Sequence, residues 1–177
     1  MSETATKTAP PLEKKTTVGN YFVSNYPPFS FWKQEDVPDY RTALGQPPKP
    51  DTPLGIYVHI PFCRKRCHFC YFRVYTDKNS KEIRNYIDAV LAELKLYAKE
   101  NFIGGRKPKF VYFGGGTPSY LSESQLRELT DGIKELLPWD EVEEVTFECE
   151  PGTLQENKIK TLKELGVTRL SLSLIHI

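Results

Sequence analysis

From Pro53 onward the chain alternates short apolar runs with segments of helical period, and this alternation limits the fold more than any other feature. Residues 56–60 (IYVHI) form a strand-type run. Ile83, Tyr86, Ile87, Val90, Leu91 and Leu94 then recur at helical spacing, with Asn79 and Glu82 placed to cap the helix start. Residues 110–113 predict a second strand. Ser122 and Gln125 predict a capping box for a helix with Leu126, Leu129, Ile133, Leu136 and Leu137 on one face. Residues 145–148 predict a third strand, and Thr153 with Glu156 is read as the cap of a third helix that Gly166 closes. Residues 167–172 open a fourth strand.

Strands and helices in this order build βαβ units around a parallel sheet, an α/β architecture. Right-handed crossovers place all strand C-termini on one edge, where such folds bind ligands. The unusual segments all leave strands at that edge: the cysteine loop after the first, Gly114–Pro118 after the second and Glu148–Gly152 after the third. The expected core is 54–177, three and a half βα units, against the roughly 250 residues of a closed eight-unit barrel. Residues 1–53 read as an irregular arm and linker: 1–17 polar and disordered, 21–32 aromatic but broken by Pro27 and Pro28, 44–53 a linker. Residues 172–177 (LSLIHI) read as the translated end of a transposon adapter joined to a broken gene fragment; a natural apolar strand is the alternative.

Three of the four cysteines, Cys63, Cys67 and Cys70, fall in a C-x3-C-x2-C pattern. The start of the chain lacks the apolar stretch of a secretory signal, so a reducing cytoplasm is expected, where clustered cysteines bind metal more often than they pair. Three thiolates on a four-iron cluster leave one iron open to a small molecule. A zinc site completed by His59, His68 or Cys149 is the competing reading, although structural zinc favours paired C-x2-C units. Arg64, Lys65 and Arg66 lie between the ligands, where they either offset cluster charge or form a solvated loop. A net charge of +1 gives no electrostatic case for nucleic acid. A mean hydropathy of −0.48 with no long apolar run argues against a membrane span.

The segment 57–63 (YVHIPFC) running into C-x3-C-x2-C resembles the radical S-adenosylmethionine (SAM) superfamily, in particular its oxygen-independent coproporphyrinogen III oxidase-like subgroup, which includes haem chaperones. The resemblance covers about residues 55–172 and implies a partial (β/α) radical SAM barrel with a [4Fe-4S] cluster on Cys63, Cys67 and Cys70. It further implies that the open iron chelates SAM and that reductive cleavage yields a 5′-deoxyadenosyl radical. Residue by residue, it assigns Tyr57, Gly115 and Glu148 to the cluster-bound SAM. Phe69, through its backbone, Gly116 and Thr117 match positions that contact a second SAM in the oxidase. A tetrapyrrole-like substrate and an electron donor such as a flavodoxin or ferredoxin are the implied partners.

The sequence departs from the oxidase pattern at Phe72, where the oxidases carry a further cysteine, and from the chaperone pattern at Tyr71-Phe72, where Asp-Phe is usual. Glu150 replaces the usual Asn or Asp of E-x-[ND]-P. Cys149 reads as a packing residue. The long aromatic arm resembles that of the oxidase, whereas the chaperones start almost directly at the first strand; the sequence fits neither pattern cleanly, and methyltransferase and haem-degrading readings in the same subgroup stay open.

Overall fold

The computed structural model describes Phe31 and residues 33–70 and 72–172. The readings for residues 1–30, Trp32, Tyr71 and 173–177 lie outside the described residues. The chain divides into two compact units, Met1–Pro38 and Asp39–Ile177. The described residues of the first include a 3-10 turn, Gln34–Asp36.

The larger unit is built on a sheet of four strands, β1 (Leu54–Ile60), β2 (Pro108–Gly115), β3 (Glu144–Cys149) and β4 (Arg169–Leu172). All are parallel and lie in the order of the sequence. That order winds in one direction without reversal, as in a βα barrel segment. Three connecting helices cover one face: α2 (Ser80–Tyr97), α3 (Glu123–Leu136) and α4 (Glu156–Glu164). A first helix, α1 (Val37–Leu44), precedes β1 in a stretch that the sequence reads as irregular.

Strand alternation sorts the side chains. Leu54, Ile56, Val58 and Ile60 of β1, Val111 and Phe113 of β2, and Val145, Phe147 and Cys149 of β3 are buried in one core with Ile83 and Ile87 of α2, Leu126, Leu129 and Ile133 of α3 and Leu162 of α4. The Phe113 and Phe147 rings meet at 5.2 Å between centroids, at the centre of this layer. The intervening residues, among them Tyr57, His59, Tyr112 and Glu148, project to the opposite, uncovered face.

The caps of α2 and α3 form as the sequence predicts. The Asn79 side chain accepts from the N–H groups of Lys81 and Glu82, and Ser122 pairs reciprocally with Gln125. The Thr153 cap is corrected by the structure. Helix α4 begins at Glu156 behind Gln155, which makes no side-chain cap bond. Thr153 ends a 3-10 turn, Pro151–Thr153, and its hydroxyl is used by Ser119 and the Glu150 carbonyl. Those partners, one of them on a distant loop, take the hydroxyl from the helix start. Among the described residues no helix is long and apolar enough to cross a membrane.

Candidate functional site at the strand C-termini

Each of the first three strands delivers a loop to the same edge of the sheet, and hydrogen bonds tie these loops to one another. The cysteine loop is closed at its base: Tyr75 donates its N–H to the Pro61 carbonyl (2.8 Å), and Cys63 donates to the Tyr75 carbonyl (3.0 Å). Cys63, at this closure, is only 7% exposed. Cys67 and Cys70 lie farther out and are half-buried, and a turn links the Cys70 N–H to the Cys67 carbonyl. Arg66 reaches across that turn to the Cys70 carbonyl at 2.9 Å.

The glycine loop extends the β1–β2 ladder beyond both strands, with Gly116 N–H on the Ile60 carbonyl and Thr117 N–H on the Phe62 carbonyl, both 2.8 Å. Gly115 has φ of +113°, in the left-handed region open to glycine, and a Cβ there would meet the His59 ring at 2.7 Å. At Gly116 a Cβ would lie 2.8 Å from Cys63 Sγ. Hydrogen at this position therefore lets the loop touch the thiol.

The third loop begins at Glu148, whose carboxylate has a donor on each oxygen. Tyr112 donates its hydroxyl at 2.7 Å, and the Gly115 N–H donates at 3.1 Å. Sharing its proton with Glu148 pushes the Tyr112 phenol up to about 12, with burial adding to the effect, so it remains a donor at neutral pH. Ser119, fully buried, accepts from the Glu150 N–H at 3.0 Å and shares a 2.5 Å contact with the Thr153 hydroxyl. Lys158 donates to the Ser119 carbonyl. Arg64, from the cysteine loop, donates to the Gly152 carbonyl at 3.4 Å.

These three loops wall a cleft of about 290 Å³. Its lining includes Cys63, Cys67, Cys70, Phe69, Gly115, Gly116, Thr117 and Glu148. The cleft wall does not include Tyr57, which stands lower on the same face of the sheet. There it is 56% exposed, stacks on Tyr112 at 6.0 Å and shares a 3.0 Å hydrogen bond with His59 Nδ1. Glu150 and Cys149 also border the cleft. Tyr112 and Ser119 go unmarked as site residues in the sequence, and the contact of Arg64 with the third loop goes unread. Tyr112 carries the one weak signal, a polar residue two positions before the glycine loop.

Compared with known proteins, residues 57–177 match the model of the radical SAM superfamily. The chain belongs to the radical SAM superfamily. It is 32% identical to the anaerobic coproporphyrinogen III oxidase 1 of Cereibacter sphaeroides over 77% of this chain and 30% of that protein. It is 41% identical to the heme chaperone HemW of Bacillus subtilis over 65% of this chain and 30% of that protein. Among solved structures it is similar to the Escherichia coli coproporphyrinogen III oxidase HemN, described there as a radical SAM enzyme. That match has a TM-score of 0.69 and 30% identity, covering 86% of this chain and 34% of that one. The radical SAM chain thus spans about a third of the length of these relatives.

The superfamily's cofactors, an iron–sulfur cluster and SAM, can be tested against the residues present. Among the described residues no three His, Cys, Asp or Glu side chains converge closely enough to hold one metal ion. The three thiols of Cys63, Cys67 and Cys70 do line one cleft, and cysteine sulfur is the usual donor to the irons of a cluster, one sulfur to each iron. The apolar burial of Cys63 pushes its thiol above the ordinary value, partly offset by a hydrogen bond from Thr117 and reinforced by Cys70 and Cys67. The donor set and the glycine approach to Cys63 fit the group.

Proposed function

We propose that this chain is the cofactor-binding part of a radical SAM oxidoreductase of the oxygen-independent coproporphyrinogen III oxidase type, acting on coproporphyrinogen III in porphyrin metabolism. The observation that carries the reading is the single cleft that gathers Cys63, Cys67 and Cys70 with the glycine loop and Glu148. In this reading the three cysteines hold a [4Fe-4S] cluster, while Tyr57, Gly115 and Glu148 orient SAM on it. Gly116, Thr117 and the backbone of Phe69 receive a second SAM. When bound, the cofactors supply a 5′-deoxyadenosyl radical that takes hydrogen from the substrate. The chain's own contribution is placement: Glu148 is held between Tyr112 and Gly115 before any ligand arrives, so little side-chain freedom is lost on binding. A reduced flavodoxin or ferredoxin is the proposed electron donor, in the cytoplasm.

A second reading, a haem chaperone that keeps the cluster without decarboxylating a substrate, is favoured by Phe72 at the position of the oxidase cysteine. The likeness to the Bacillus subtilis chaperone supports it as well. Anaerobic reconstitution with iron and sulfide tests what the two readings share. About four irons per chain, lost in a Cys63→Ala/Cys67→Ala/Cys70→Ala variant and giving a reduced EPR spectrum that SAM alters, is the expected result. One zinc and no iron would sink both readings. Decarboxylation of coproporphyrinogen III by the full-length protein, as against haem binding alone, separates them.

A further inference from the structure

The sulfur of Cys63 has an environment unlike that of Cys67 or Cys70. It is buried at the base of the loop, pressed against Gly116, whose missing side chain leaves it room. The nearby backbone donors are already used: Cys63 N–H on the Tyr75 carbonyl, Gly116 N–H on Ile60, and Thr117 N–H on Phe62. The Thr117 hydroxyl, half-buried, donates to Cys63 Sγ at 3.4 Å. The same two ladder bonds that extend the β1–β2 pairing hold the backbone of Thr117 beside the Cys63 loop, which brings its hydroxyl within reach of the sulfur.

We propose that the Thr117 hydroxyl donates a hydrogen bond to the Cys63 thiolate ligand and raises the reduction potential of the cluster. The proposal rests on the reading of Cys63 as a cluster ligand. One electron from a reduced flavin or iron–sulfur protein enters the cluster; no bond breaks at Thr117, and its proton stays on oxygen. Reduction adds negative charge that is shared by the ligand sulfurs. A donor hydrogen bond therefore stabilises the reduced form more than the oxidised form, and does so strongly where burial keeps water away. Thr117 acts through Cys63 and is a positioning and tuning residue. Because a hydroxyl has one proton, its use on sulfur leaves only the lone pairs of Thr117 for another ligand, which must then approach with a donor such as an ammonium group.

The test is a potentiometric titration of the reconstituted chain, followed by EPR, for the wild type, Thr117→Val and Thr117→Ser. Valine keeps the shape and removes the donor; serine keeps the donor. The expected result is a more negative midpoint in Thr117→Val, with about a tenfold lower ratio of reduced to oxidised cluster at a fixed potential, equivalent to about 59 mV. Thr117→Ser should return most of the shift, at equal iron content. A wild-type midpoint in Thr117→Val overturns the tuning role while leaving the cluster reading intact. If Thr117→Val loads no iron, an unshifted Thr117→Ser carrying the same g-values supports the donor role, and a shifted one overturns it. Failure of the wild type to load iron overturns the parent reading and this proposal together.

Discussion

Along β3, Val145, Phe147 and Cys149 are sunk among the apolar side chains of the helices, whereas Glu148, one residue from two of them, faces the open side and is held by a phenol and a backbone amide. The same division runs along β1, with Ile56, Val58 and Ile60 against the helices and Tyr57 and His59 opposite. A parallel sheet covered on both faces has near-continuous apolar strands. Here one face is made of packing and the other of hydrogen bonds. Alternate residues of one strand thus serve the core and, in the proposed reading, the site, and substitution on one face should leave the other almost unchanged.

The largest expected effect is on the packed face. Phe147→Ala should cost about 3–5 kcal/mol of stability, since the ring is 1% exposed and rests on Phe113, and urea unfolding would measure it. A loss below about 1 kcal/mol would mean that the core re-forms around the gap. Gly116→Ala comes next, where the two regions meet. Its Cβ would lie 2.8 Å from Cys63 Sγ and 2.9 Å from the Phe62 carbonyl, so iron loading should fall by an order of magnitude or more. Unfolding should move by only about 1–3 kcal/mol. Full loading in this variant would remove the glycine approach from the argument.

How far the sequence reaches can be seen in the same residues. Helices α2 and α3 are legible because period, cap and apolar face agree locally, and the convergence of the loops follows from the rule that parallel strands share a C-terminal edge. Thr153 misleads because its hydroxyl answers to Ser119, on another loop, and no local pattern records a partner 34 residues away. The partners of Tyr112 and Arg64, 36 and 88 residues distant, stay hidden for the same reason. Helix α1, with a proline as its second residue and no buried side chain, has no apolar stripe for a periodicity argument to find.

Smaller effects sharpen the division. Tyr112→Phe removes one donor from Glu148 and should weaken SAM binding by about three- to tenfold, as expected for loss of one hydrogen bond. Isothermal titration of the loaded protein would read this, and the unfolding midpoint should scarcely move. On the packed face, burial pushes the Cys149 thiol from 9.0 to about 11. Above pH 9.0 the unfolded chain gives up this proton while the folded chain keeps it, so stability present below pH 9.0 is lost as pH rises toward 11. Tyr86 and Tyr112, pushed from 10.0 to about 12, act in the same direction but begin later. In Cys149→Ala the decline above pH 9.0 should be shallower, with the raised Cys63 thiol still contributing from the same pH, measured as the unfolding midpoint against pH. An unchanged slope would mean that the Cys149 thiol ionises freely.

The closure of the cysteine loop by Tyr75 has a consequence for how such a loop can vary. Its two ends hang from neighbouring pegs on the sheet, Pro61 and Cys63 on one side and Tyr75 on the other. The span between them behaves as a strap whose length is nearly independent of its anchorage, because each doubling of a flexible loop costs only about 0.6 kcal/mol. Residues inserted between Phe72 and Tyr75 would lengthen the strap and leave Cys63 in its seat. In the proposed cluster reading the first ligand belongs to the framework and the other two to the strap, so the loop could diversify while the point of attachment stays constant.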